Sequence, residues 1–156
     1  MKHEIVLVTK EFQPTQERLE AEFTVHKLYE ATDRDAFLRR HAPTVRALAT
    51  YTAWGADAKL MDALPKLGLI SHFGVGYDSI DVAAAKQRNA MVTNTPDVLN
   101  DCVADTAMSL VLNVMRQFPR SENWLRAGKW HAVIGYPLTV SLGGKTLGIL
   151  GLGRIG

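Results

Sequence analysis

Apolar residues in the first two-thirds of the chain come in short runs separated by helical patterns. Ile5-Val6-Leu7-Val8 is a continuous apolar run, the mark of a parallel strand buried on both faces. Residues 14–22 are polar with sparse apolar positions and predict a surface helix. Residues 23–28 predict a second strand. A helix follows to about His41, with Thr32 before Asp33 at its N-cap. Residues 45–50 predict a third strand, and 56–64 a helix stopped by Pro65. Residues 69–73 predict a fourth strand running into Gly74-Val75-Gly76. Residues 78–88 predict a helix and 91–93 a fifth strand. Strands and helices alternating at this spacing predict an α/β fold, a parallel sheet with helices on both faces.

Beyond the turn Thr95-Pro96-Asp97 the pattern changes. Val103, Ala107, Leu110, Val111, Val114 and Phe118 fall at steps of three and four, which predicts one long amphipathic helix over 100–118. Asn100 is placed to cap it, Asp101 suits its first turn, and Pro119 is expected to stop it. Residues 120–143 read as an arm holding Trp124, Trp130 and a Gly135-Tyr136-Pro137 turn. Gly143-Gly144-Lys145 closes it, and 146–150 predict a new strand.

Composition narrows the function classes. With 47% apolar and 22% charged residues the chain is ordinary globular material. Lys plus Arg is 18 and Asp plus Glu is 16, a net +2, which gives no reason to expect nucleic acid or an anionic membrane as partner. Cys102 stands alone, so neither an intrachain disulfide nor a multi-thiolate metal site is open, and no metal ligands are assigned. A reducing, cytoplasmic setting follows. Met1-Lys2-His3-Glu4 leads straight into the first strand, without the apolar region of a signal peptide. No apolar run approaches the roughly 20 residues of a membrane span.

The last six residues, Gly151-Leu152-Gly153-Arg154-Ile155-Gly156, form a G-x-G-x-x-G directly after a predicted strand. In a dinucleotide fold Gly151 would permit the tight turn, Gly153 the approach of a pyrophosphate, and Gly156 the close packing of a following helix. The alternative is a glycine-rich turn with no ligand. The helix and the acidic residue that complete such a site lie beyond Gly156, so the chain is expected to be a piece of a longer protein.

Four segments together resemble the D-isomer-specific 2-hydroxyacid dehydrogenases: residues 73–81, 92–99, 103–107 and 148–156. The runs Thr95-Pro96-Asp97-Val98-Leu99 and Arg126-Ala127-Gly128-Lys129-Trp130 are most similar to the glyoxylate and hydroxypyruvate reductases, including the plant hydroxyphenylpyruvate branch. The resemblance implies a flavodoxin-like substrate-binding domain over 1–98. Residues 99–156 would then be a linking helix, an arm and the first strand of a Rossmann domain for NAD or NADP. It also implies a homodimer formed through the helix and arm, which would place Trp124 and Trp130 at the contact; packing within one subunit is the alternative.

Carried over residue by residue, the resemblance implies that Gly74, Val75 and Gly76 hold the substrate carboxylate. A glycine turn with successive free N–H groups makes an anion nest, so the chemistry fits. Trp54, with Gly55, would face the substrate. Val75, Thr106, Gly151, Gly153, Arg154, Ile155 and Gly156 would contact the cofactor. Thr106 could equally bond its own helix backbone.

The family's arginine, glutamate and histidine, which bind the 2-keto acid and deliver a proton, have no counterparts among these residues. His3, His26, His41, His72 and His131 do not occupy the catalytic position. His72, ending a strand near the proposed turn, is read as structural, and Cys102 as a packed thiol. The implied reaction is reduction of a small 2-keto acid by NAD(P)H, with this chain alone expected to be inactive. Two other function classes share parts of this pattern. A nucleotide-dependent corepressor-like interaction protein shares the scaffold, but nothing marks a peptide groove. A receiver domain would need acidic residues where Thr9-Lys10 and Thr50-Tyr51 stand.

Overall fold

The computed structural model describes residues 2–52, 54–131 and 135–156. It divides into two compact units, Met1–Pro96 and Asp97–Gly156.

The first unit is the expected parallel α/β sheet. Its strands are β1 (Glu4–Leu7), β2 (Thr24–Lys27), β3 (Ala47–Tyr51), β4 (Leu69–Phe73) and β5 (Met91–Thr93), ordered β2-β1-β3-β4-β5 and all parallel. Register lines His26, Val6, Leu48, Ile70 and Val92 into one row across the sheet. Val6, Leu48 and Ile70, in the three inner strands, are wholly buried. Leu38 of α2 (Arg34–His41), Leu60 and Met61 of α3 (Ala58–Asp62) and Ala84 and Ala85 of α4 (Val82–Gln87) share that core. Leu19 of α1 (Gln13–Glu22) and Phe23 border a cavity with Ile5, Ala47 and Leu69, which alternate with the buried row and so face the other way.

Helix starts are set by aspartates. Asp33, Asp57 and Asp81 each accept the backbone N–H three residues on, from Ala36, Leu60 and Ala84, at 2.9, 2.8 and 2.8 Å. The N-cap of α2 is therefore Asp33 and not Thr32. A 3-10 turn, Leu28–Glu30, follows β2.

The second unit holds α5 (Asn100–Arg116) and α6 (Phe118–Arg126) and departs from expectation in three places. Asn100 does not cap α5. Leu99 is the N-cap, without a side-chain bond, and the Asn100 amide donates to Asp97 at 3.1 Å. Pro119 does not end the long helix. Gln117 ends it by turning left-handed at φ 54°, and Pro119 sits in the first turn of α6, where a missing N–H costs nothing. So part of the expected arm is helical, while 132–134 within it lie outside the described residues.

Residues 146–150, expected to form a strand, run without strand pairing. A single extended segment needs a neighbour for its backbone groups, and the described residues of this unit offer no strand. No helix among the described residues is long and apolar enough to cross a membrane.

Candidate functional site

Thr50 and His72 are register partners on β3 and β4, so their side chains meet. Both are 1% exposed, and the Thr50 hydroxyl lies 2.7 Å from His72 Nδ1. The other ring nitrogen, Nε2, is 2.9 Å from the Gly76 carbonyl. A carbonyl only accepts, so Nε2 carries a proton and donates it. In the neutral ring Nδ1 then accepts from Thr50. His72 thus reaches from the sheet to the far end of the glycine turn.

Two further bonds hold that turn. The Asn94 amide donates to the Val75 carbonyl at 2.8 Å, and the Thr95 N–H donates to the Gly74 carbonyl at 3.0 Å. All three carbonyls of Gly74-Val75-Gly76 are thereby engaged by the protein. Among the described residues no hydrogen bond engages the Val75 or Gly76 N–H. Glycine is required at 74 for space, because a Cβ there would stand 2.7 Å from His72 Nε2.

The loop after β3 is fastened beside this turn. Thr52 donates its N–H to the Phe73 carbonyl at 3.3 Å and accepts from the Ser79 hydroxyl at 3.1 Å. Ala56 and Ile80 form an isolated parallel bridge. Gly55 lies so close to this strand-to-helix segment that a Cβ would fall 1.8 Å from the Ser79 carbonyl oxygen. Trp54, next to it, is 60% exposed.

In the second unit the Thr106 hydroxyl donates to the Cys102 carbonyl at 2.7 Å, the backbone bond open to a helical threonine. Its lone pairs stay available to accept. Gly151 has φ +99°, a conformation suited to glycine, and Gly153 has open space where a Cβ would be. A Cβ at Gly156 would come 2.5 Å from the Gly151 carbonyl, so the segment folds back on itself. Positive φ, open backbone and close return fit a pyrophosphate-binding turn. Arg154 pairs with Asp97 at 3.1 Å. No hydrogen bond among the described residues joins Thr106 to 151–156.

A cavity of ≈330 Å³ opens beside the same strand ends, lined by Ile5, Leu19, Thr50, His72, Thr95 and Glu11 among others. Glu11 is 5% exposed, and neither carboxylate oxygen has a hydrogen-bond partner among the described residues. Burial holds its pKa above the ordinary carboxylate range. Sequence reading gives no site role to Glu11, Asn94 or Thr50. Of these only Thr50 carried a signal, a polar residue within an otherwise apolar strand.

The description "D-isomer specific 2-hydroxyacid dehydrogenase, catalytic domain" matches residues 6–147. A glyoxylate/hydroxypyruvate reductase A of Arabidopsis thaliana is 39% identical over 138 residues, 88% of this chain and 44% of the relative. A 2-ketogluconate reductase of Gluconobacter oxydans is 41% identical over 140 residues, 90% of this chain and 44% of the relative. Among solved structures, a 2-hydroxyacid dehydrogenase of Ketogulonicigenium vulgare superposes with TM-score 0.95 at 46% identity, covering 99% of this chain and 49% of that one. An NADPH-dependent glyoxylate/hydroxypyruvate reductase of Sinorhizobium meliloti, in complex with NADP and malonate, gives 0.84 at 40% identity, covering 99% and 48%. The chain spans about half the length of the relatives it matches. With the parallel sheet and the match over residues 6–147 in agreement, this chain belongs to the D-isomer-specific 2-hydroxyacid dehydrogenase family.

Proposed function

We propose that this chain provides the substrate-binding portion and the opening of the cofactor-binding portion of an NAD(P)H-dependent reductase of small 2-keto acids, glyoxylate and hydroxypyruvate foremost. One observation carries this reading. The glycine turn has every carbonyl engaged from within the protein, while the Val75 and Gly76 N–H groups have no partner among the described residues. Adjacent free amides suit a carboxylate, the group shared by all such substrates. The names of the Arabidopsis and Sinorhizobium relatives point the same way.

Val75 and Gly76 bind the carboxylate, and Gly74 leaves room for the histidine that anchors the turn. Trp54 shapes the substrate pocket. Val75, Thr106, Gly151, Gly153, Arg154, Ile155 and Gly156 contact the dinucleotide, whose nicotinamide supplies the hydride when bound. Residues 1–98 form the functional substrate domain, and 99–156 begin the cofactor domain. Exposed Val103, Met108, Leu110 and Val114 on α5 support a homodimer contact through that helix and the following arm. The lone Cys102 suits a cytoplasmic protein. The arginine, glutamate and proton-donating histidine of the reaction are assigned to no residue here, so the chain by itself is inactive.

Amide NMR tests the reading. Titration with glyoxylate is expected to shift the Val75 and Gly76 signals saturably, and Val75→Pro, which deletes one N–H, to abolish the response. Glyoxylamide, which lacks the carboxylate, is expected to leave them in place. Absence of shifts at these two residues, or equal shifts with the amide, overturns the assignment. NADPH oxidation with glyoxylate by the 156-residue chain overturns the predicted inactivity.

A further inference from the structure

At the other end of the same strands, register and helix packing gather three metal-ligating side chains. Glu4 opens β1, and His26 sits on β2 opposite Val6, one diagonal step from Glu4 on the same face. His41 ends α2, which packs over that face. His26 Nε2 lies 2.7 Å from Glu4 Oε2, and the His26 and His41 rings stack with centroids 3.8 Å apart. One ligand atom from each residue falls within 4.8 Å of the others. Phe37 packs against the His41 ring at 4.7 Å. No hydrogen bond among the described residues engages the His41 ring nitrogens.

We propose that Glu4, His26 and His41 form a site for a divalent transition-metal cation of the zinc class, separate from the glycine turn. Two imidazoles and one carboxylate suit zinc or cobalt better than calcium or magnesium, which favour all-oxygen shells. Bonds of about 2.0–2.2 Å to a tetrahedral ion put neighbouring donors about 3.3 Å apart. The present donors reach that spacing by side-chain adjustments of about 1.5 Å or less, a distance open to a half-exposed cluster. Thr44 supplies the outer support such sites use, donating its hydroxyl to Glu4 Oε2 at 2.7 Å. Three protein ligands leave the fourth position to water. Because the ligands come from β1, edge strand β2 and α2, the ion would fasten the open edge of the sheet to its covering helix.

The test is a cobalt titration of the full chain carrying no oligohistidine tag. Expected is a one-to-one visible absorption band of tetrahedral intensity, displaced by zinc. Glu4→Gln and His41→Ala are expected to abolish it, and Thr44→Val to weaken binding about 10–100-fold. His131→Ala and Cys102→Ser are expected to leave it unchanged. No band, or a band that survives His41→Ala, overturns the proposal. Should His41→Ala fail to fold, imidazole NMR of the unaltered chain decides: zinc must move the His26 and His41 ring signals and not those of His72, and any other pattern overturns it. Loss or retention of glyoxylate binding at Val75 bears on the separate functional reading alone.

Discussion

Replacing His72 with leucine tests how the glycine turn is held. The substitution keeps roughly the same volume and removes both ring bonds. Gly76 is an exposed residue and its bond to His72 only part-buried, so with water able to replace the ring that bond costs about 0.5–1.5 kcal/mol. The Thr50 hydroxyl is 1% exposed, and leaving it unpaired costs about 1–3 kcal/mol. Better burial of the leucine offsets part of this, giving a net loss of about 1–3 kcal/mol. Thr50→Val orphans His72 Nδ1 at a similar cost. With both changes the pair becomes apolar, and a pair replaced on both sides is close to neutral. The double variant should therefore be less damaging than the sum by about 1–2 kcal/mol. Hydrogen exchange at the Leu48 and Ile70 amides reads the stability of the first unit alone. Additivity within about 0.5 kcal/mol refutes the reasoning, because uncoupled residues behave that way.

Gly55→Ala sets a methyl 1.8 Å from the Ser79 carbonyl, so the two loops must part, and loss of the Ala56–Ile80 bridge is expected in exchange protection. Glu11 has a folded-state pKa above its unfolded value, so its contribution is most favourable below the unfolded pKa and is lost as pH rises through the folded one. Glu11→Gln should flatten that fall and gain on the order of 1 kcal/mol at neutral pH, read by urea midpoints on either side of the transition. Asp81→Ala removes the cap on the Ala84 N–H and should cost about 0.5–2 kcal/mol, read as faster exchange in the first turn of α4.

The sheet was legible because buried parallel strands are written as apolar runs. Ile5-Val6-Leu7-Val8 and the segment 69–73 needed no context to be recognised. Helix starts were less legible. The expected helices began at 32, 56 and 78, and the observed ones begin after Asp33, Asp57 and Asp81, because capping depends on where a carboxylate meets an N–H. Pro119 is ambiguous in sequence because the same residue suits a helix start and forbids a helix interior. The 146–150 strand failed for a different reason, since local propensity supplies no partner.

At the site, Gly74, Val75 and Gly76 were visible as a motif, but the bonds from His72, Asn94 and Thr95 that restrain them were not. Those bonds depend on which strands are neighbours. The Glu4, His26 and His41 cluster left no spacing signal, because its members meet through the β1–β2 register and the end of α2.

The restraint of the glycine turn has a thermodynamic consequence. Its three carbonyls are anchored, through His72, Asn94 and Thr95, to β4 and to the segment that follows β5. Under the proposed function, a carboxylate arriving at Val75 and Gly76 would therefore meet a preorganised receptor and need not freeze a loop. The entropy of ordering is settled when the sheet folds, before any ligand arrives. Ligand exchange there should be quick and local, and the turn's shape should look the same empty and filled.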